Sequence, residues 1–194
     1  MLRGEPVPER SPLFKEVLIS EEQVAERIDE LATNVIERYK DKDPLFVCLL
    51  RGGAPFASML MFSIARQDPG FHPELDYMTV STYGERREAG STRIVMDLGP
   101  KTVVKDRPVV LLDDVLDEGI TAAFTTTYLA GRGAQETDLI VLVQKDRERT
   151  AFGDATLFGF EAPGDWLTGM GMDDRLLATE GNRWMASIAL ANTE

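Results

Sequence analysis

The part of the sequence with the clearest chemical potential is an acidic run between residues 113 and 121. Its polar members are Asp113, Asp114, Asp117, Glu118 and Thr121, and Gly119 lies between the last two. Two adjacent carboxylates suit the hydroxyls of a sugar, bound directly or through a cation that prefers oxygen ligands. A glycine and a threonine at the start of a helix offer backbone amides and a hydroxyl to an anion. The combination suits a sugar phosphate.

The segments on either side of this run place it at the edge of a sheet. Residues 109–112 are all apolar, which predicts a strand buried on both faces, and residues 120–130 predict a helix. Ligands of open α/β sheets bind where the strands end at their carboxyl side. The acid pair of Asp113 and Asp114 is therefore expected at a ligand-binding edge.

Hydrophobic patterns along the rest of the chain predict an α/β domain with a mostly parallel sheet. Ser20 and Gln23 form a capping box ahead of a helix predicted over residues 20–39. Buried strands that alternate with helices are typical of this fold class. We expect a second helix at 54–65, a mobile loop at 84–92, and further strands at 45–50, 75–83, 139–143, 155–160 and 185–190.

Composition excludes several classes of function. The 194 residues include 33 acidic and 21 basic side chains, a net charge of −12, which argues against nucleic acids and anionic membranes as partners. Cys48 is the only cysteine and His72 the only histidine, so a disulfide framework, a cysteine-based zinc site and a Ser-His-Asp triad are excluded. No apolar run is long enough to span a bilayer, and the polar, proline-rich start has no signal-peptide core. We expect a cytoplasmic protein.

The acidic run resembles the signature for 5-phosphoribosyl diphosphate (PRPP) of type I phosphoribosyltransferases, in which two acids precede a D-x-G-x-T loop. Four further segments resemble the hypoxanthine-guanine branch of that family, in its order. They are Leu50-Arg51-Gly52-Gly53, Val80-Ser81-Thr82-Tyr83-Gly84, Val143-Gln144-Lys145 and the segment from Trp166 to Asp173. The resemblance implies the type I fold, with a core of about residues 40–165 and a small hood from about 1–20 and 165–194. It also implies a single domain over residues 1–194 that forms a homodimer or homotetramer.

For PRPP, the resemblance implies a role for each matching residue. Asp113 and Asp114 would bind the ribose hydroxyls, directly or through Mg²⁺, and Asp117 would be the general base at N7 of a purine. The loop of Glu118, Gly119, Ile120 and Thr121 would hold the 5′-phosphate. Glu118 stands where the family usually has threonine, and we expect its side chain to face away from the phosphate.

Other matches would bind pyrophosphate and cover the site. Arg51 and Gly52 would offer backbone donors to pyrophosphate, often beside a cis peptide before Arg51. Thr82 and Tyr83 would be the working end of a lid that excludes water during the reaction. Asp173 would help to hold a second Mg²⁺, and either Arg175 or Arg183 is a candidate to approach pyrophosphate.

The remaining matches would bind the base. Lys145 would donate to a 6-oxo group, Trp166 would stack on the purine, and the main-chain carbonyls near Leu167 and Asp173 would accept from guanine. By themselves, Lys145 is typical of a solvated turn and Trp166 of an aromatic side chain in a core or at a rim. The sequence thus predicts a magnesium-dependent purine salvage enzyme. A related enzyme for xanthine or another base, and a non-catalytic sensor of PRPP or nucleotides, remain as alternatives.

Overall fold

The structure, a computed structural model, describes residues 14–82, 92–173 and 181–191. Its main element is a six-stranded sheet with the strand order β4-β3-β2-β5-β6-β7. These strands are β2 (Leu45–Leu50), β3 (Glu74–Thr82), β4 (Thr92–Met96), β5 (Pro108–Leu116), β6 (Glu136–Lys145) and β7 (Leu157–Ala162). The helices are α1 (Glu21–Tyr39), α2 (Ala54–Gln67) and α3 (Ile120–Gly131). All neighbouring strands in this sheet are parallel except β3 and β4.

The strand order creates a crevice between β2 and β5. The chain leaves β2 to form β3 on one side and returns later to form β5 on the other side. The turns that follow β2 and β5 therefore leave the same edge of the sheet side by side. Such a change of direction is where open α/β sheets bind their ligands.

Alternating residues of the central strands build one hydrophobic core on each face of the sheet. Phe46 and Cys48 of β2 pack with α1 and α2, whereas Val47 and Leu49 pack in the second core with α3. Both faces are covered, which explains why the central strands are apolar throughout. Burial raises the pKa of the Cys48 thiol to about 12, as expected for a cysteine that acts as a small core residue.

A second sheet is made from both terminal segments. Its three antiparallel strands have the order β1-β9-β8, formed by β1 (Phe14–Ile19), β8 (Leu167–Thr168) and β9 (Ile188–Ala191). A short 3-10 helix, Gly181–Trp184, precedes β9. The boundaries assigned to a core and a hood from the sequence stay a prediction. Within the described ranges, no helix is both long and apolar enough to cross a membrane.

The predicted α/β class is confirmed, with errors at the edges of the sheets. The capping box of Ser20 is formed, and the strand predicted at 45–50 agrees with β2 at both ends. Three short strands, β1, β4 and β8, were not predicted. The predicted loop at 84–92 is wrong at Thr92, which begins β4, while residues 84–91 lie outside the described residues. The strand predicted at 109–112 is longer, since its ladder with β6 continues to Leu116.

Candidate active site

A cavity of about 630 Å³ opens at the carboxyl ends of the central strands. Its volume is within the range of sites for small organic ligands. Every predicted site residue lines it except Thr82 and Tyr83. The lining residues are Arg51, Gly52, Asp113, Asp114, Asp117, Glu118, Gly119, Ile120, Thr121, Lys145, Trp166, Leu167 and Asp173. Thr82 ends β3, and its side chain and the whole of Tyr83 lie outside the described residues.

Two adjacent carboxylates line this cavity, Asp114 buried and Asp113 half-buried. Asp113 and Asp114 lie within β5. The sequence had predicted a strand that ends before them, at residue 112. Asp114 is 9% exposed, and each of the two side chains accepts the next backbone amide, Asp114 N–H at 3.0 Å and Val115 N–H at 2.9 Å. Burial raises the pKa of both carboxyls, and the charge of Asp114 raises the pKa of Asp113 further. The pair is therefore suited to a cation or to hydroxyl donors.

The start of α3 forms an anion cradle beside this pair. Gly119 caps the helix with φ of 78°, a left-handed conformation that favours glycine, and as a glycine it makes no side-chain cap to α3. A Cβ atom at Gly119 would lie 2.5 Å from the Cβ of Phe152, which packs against the loop from outside. Ile120 and Thr121 begin the helix and line the cavity, and the first amides of a helix are a favourable site for an anion.

Asp117 carries a cation on each oxygen of its carboxylate. Lys145 Nζ lies 2.9 Å from Oδ2, and Arg147 Nη1 lies 2.5 Å from Oδ1. Burial opposes ionisation of Asp117, but the hydrogen bonds and charges of Lys145 and Arg147 outweigh it and lower the pKa of the carboxyl. Asp117 is thus an ionised hydrogen-bond acceptor and a weak base.

Lys145 is a buried lysine, unlike the solvated residue of a charged turn. It is the last residue of β6 and is 5% exposed. Its ammonium lies 5.9 Å from the ring centre of Trp166, which also lines the cavity. The indole of Trp166 donates to the carbonyl of Asp173 at 2.9 Å. That carbonyl, expected to accept from guanine, keeps a second lone pair for the purpose.

Arg183 is the arginine that the structure places in the cavity wall, while Arg175 lies outside the described residues. Its guanidinium is buried, donates to the carbonyl of Gly171 and lies 3.4 Å from Asp173 Oδ2. Its charge also lowers the pKa of Asp114, although burial outweighs this effect. Arg183 therefore brings a fixed positive charge to the carboxylate-rich end of the cavity.

The turn after β2 forms the facing wall. The peptide bond between Leu50 and Arg51 is cis, and the amide of Gly53 bonds back to Leu49 at 3.0 Å. Among the polar side chains of the site, the sequence predicted neither the wall residue Thr79 nor the contact of Arg147 with Asp117. For Arg147, the only signal was its place two residues after Lys145, within a charged segment.

The sheet edge, the acid pair of Asp113 and Asp114 and the helix-end cradle define an α/β protein whose cavity has groups suited to a phosphorylated sugar. Residues 18–173 match the phosphoribosyl transferase domain family. The chain is 31% identical over 161 residues to the hypoxanthine-guanine phosphoribosyltransferase of Bacillus subtilis, covering 82% of this chain and 86% of that protein. It is 32% identical over 161 residues to the enzyme of the same name from Lactococcus lactis, covering 82% of this chain and 84% of that protein.

Solved structures agree with the sequence relatives. A hypoxanthine phosphoribosyltransferase from Staphylococcus aureus superimposes with a TM-score of 0.81 at 29% identity and covers 92% of both chains. The chain therefore belongs to the type I phosphoribosyltransferase family, in its hypoxanthine-guanine branch, as the motifs indicated. It is a phosphoribosyltransferase of purine salvage.

Proposed function

We propose that this protein transfers the 5-phosphoribosyl group of PRPP to hypoxanthine or guanine, forming IMP or GMP and pyrophosphate. The observation that carries the proposal is the pair of Lys145 and Asp117, 2.9 Å apart at the cavity wall. This pair presents a donor next to an acceptor. The edge of a 6-oxopurine presents the complementary acceptor, O6, next to the donor N7–H.

The base would enter between this pair and Trp166. Lys145 would turn from Asp117 to O6, which releases Oδ2 of Asp117 to accept from N7–H. Stacking on the indole of Trp166 would add about 1–3 kcal/mol of binding free energy. N9 of the base would then attack C1′ with inversion, the bond to pyrophosphate would break with its electron pair, and the N7 proton would pass to Asp117.

PRPP would lie along the rest of the cavity. The amides of Ile120 and Thr121 would hold the 5′-phosphate, Asp113 and Asp114 would hold the ribose hydroxyls, and the turn after β2 would hold pyrophosphate. The negative charge of PRPP would be repelled by the carboxylates of Asp113 and Asp114 unless a positive charge opposed it. Arg183 and the helix-end amides supply part of the opposing charge.

The donor set of the site fits Mg²⁺, which prefers oxygen ligands and uses one or two protein carboxylates together with substrate oxygens. Asp113, Asp114 and Asp173 would supply those carboxylates. Among the described residues, no group of three or more histidine, cysteine, aspartate or glutamate side chains could hold a metal alone. A magnesium ion bound with PRPP would neutralise charge on the departing pyrophosphate.

The test is an assay of purified protein with PRPP, Mg²⁺ and a panel of hypoxanthine, guanine, xanthine and adenine, followed by separation of the nucleotides. We expect turnover of hypoxanthine or guanine, loss of turnover with excess EDTA, and recovery with added Mg²⁺. No turnover of hypoxanthine, guanine or xanthine would contradict the proposed function, and turnover of xanthine alone would contradict the proposed base.

A further inference from the structure

Arg147 contacts the two acids of the loop that precedes α3. Its Nη1 lies 2.5 Å from Asp117 Oδ1, and its Nη2 lies 4.0 Å from Glu118 Oε1. Both acids line the cavity, whereas Arg147 reaches them from the segment between β6 and β7. Arg147 is thus the second cation, after Lys145, that bonds to Asp117.

The segment that carries Arg147 is held firmly in place. Arg149 is 6% exposed and donates through Nη1 to the carbonyl of Lys145 at 2.6 Å. Its Nη2 pairs with Asp154 at 2.5 Å, at the far end of the same segment. Phe152 packs against Gly119, so the segment touches the anion cradle directly. Arg147 therefore meets the acids from a backbone with several fixed points.

The two carboxylates need a cation when substrates bind. In the proposed reaction Lys145 turns to O6 of the base, and Arg147 then remains as the cation bonded to Asp117. Glu118 lies in a loop that would hold a phosphate, where a free carboxylate would repel the ligand. An arginine can hold both carboxylates because its fixed fork presents several donors.

We propose that Arg147 is a positioning residue for the proposed transfer reaction, on which this inference rests. It holds Oδ1 of Asp117 so that Oδ2 faces the base, and it draws the carboxylate of Glu118 out of the phosphate cradle. A merely structural ion pair would act differently. The Arg147 side chain is 39% exposed, and pairs of that exposure contribute little to the stability of a fold.

The experiment compares Arg147→Gln, Arg147→Lys, Glu118→Thr and the double variant R147Q/E118T with the unmodified protein. Titration with PRPP and Mg²⁺ measures binding without turnover, and steady-state kinetics measure kcat. We expect R147Q to lower kcat and weaken PRPP binding, each by about tenfold or more, with a melting temperature within about 2 °C of the parent. E118T in the R147Q background should restore PRPP binding but not kcat, and R147K should recover part of both.

Arg132→Gln is the matched control, because Arg132 forms a half-exposed pair with Asp97 at 2.8 Å outside the cavity. It should leave both readouts unchanged. Unchanged kcat and PRPP binding in R147Q would overturn the inference, and so would a tenfold gain in PRPP binding from E118T alone. If R147Q does not fold, R147K and E118T carry the test. Parental kcat and parental PRPP binding in R147K would then also overturn the inference. Absence of turnover in the parent protein would instead contradict the proposed function, and the PRPP titrations would still decide the role of Arg147 toward Glu118.

Discussion

The carboxylate of Asp114 occupies the space in which a side chain at residue 52 would begin. A Cβ atom at Gly52 would lie 2.1 Å from Asp114 Oδ2 and 2.5 Å from its Cγ. These two residues come from the turn after β2 and from β5, on either side of the crevice. The proposed pyrophosphate turn and the proposed ribose-binding acid therefore touch, and neither can change size alone.

This contact predicts the effect of Gly52→Ala. The methyl group must displace Asp114 or the turn, so we expect the KM for PRPP to rise by about tenfold or more. Gly131→Ala is the control, since a Cβ at the end of α3 would meet no atom within 4 Å. It should leave kinetics unchanged and raise helix stability by up to about 1 kcal/mol. Steady-state kinetics with PRPP as the varied substrate test the pair, and an unchanged KM in G52A would contradict the proposed location of PRPP.

Asp117→Asn tests the proposed proton acceptor. The amide keeps the size of the side chain but cannot take a proton from N7, so kcat should fall by about 10²–10⁴. PRPP binding should change by less than about threefold, because Asp117 is assigned to the base. The control is Asp97→Asn, which alters an acid paired with Arg132 away from the cavity. If kcat of D117N equals that of the unmodified protein, Asp117 is not the proton acceptor.

Lys145→Gln separates base binding from PRPP binding. Loss of a charged hydrogen bond to O6, worth about 1.5–3 kcal/mol, should raise the KM for hypoxanthine by about tenfold or more. The KM for PRPP should remain close to the parental value. Lys101→Gln, at an exposed lysine, provides the comparison and should match the parent in both constants. An equal rise in both KM values for K145Q would indicate a general disturbance of the cavity.

Asp76 predicts a pH dependence of stability. Burial opposes its ionisation, but hydrogen bonds from Thr102 at 2.6 Å, Tyr77 N–H at 2.7 Å and Gly99 N–H at 2.8 Å outweigh burial and lower its pKa. A lowered pKa in the folded state stabilises the protein above the unfolded pKa of about 3.9 and loses this effect as the pH falls through the folded pKa.

The corresponding measurement is the melting temperature of the parent and of Asp76→Asn between about pH 7 and pH 3. Near neutral pH the parent should have the higher melting temperature, and its difference from D76N should narrow below about pH 4. The exposed Asp41→Asn serves as the comparison and should follow the parent across the range. A difference for D76N that is constant with pH would show that the lowered pKa of Asp76 does not contribute to stability.

The sequence predicted those parts of the fold whose burial is local. The strand at 45–50 is apolar on both faces, and this pattern fixes its two ends. The strand β1 pairs with β9, which lies far along the chain, and β4 is an edge strand of five residues with three exposed side chains. Pairings of this kind depend on distant segments and leave little periodicity in the sequence.

For the site, too, the sequence predicted the contiguous motifs better than the contacts between distant segments. The acid run and the glycine turns are contiguous motifs, and the structure brings them to one cavity. The burial of Lys145 was hidden, since the residue begins a charged segment but ends a buried strand. Arg147 and Arg183 were missed or left open because their partners lie in other segments, and only the folded chain determines which acids they meet.

A pair of glycines sets the spacing between the two walls of the cavity. A Cβ atom at Gly171, whose φ is 100°, would lie 1.8 Å from the carbonyl oxygen of Gly52. The turn after β8 and the turn after β2 therefore meet main chain to main chain. Peptide geometry, and not the choice of rotamers, therefore sets the distance between these two walls of the cavity. A side chain at residue 171 would force the two walls apart whatever rotamer it adopted.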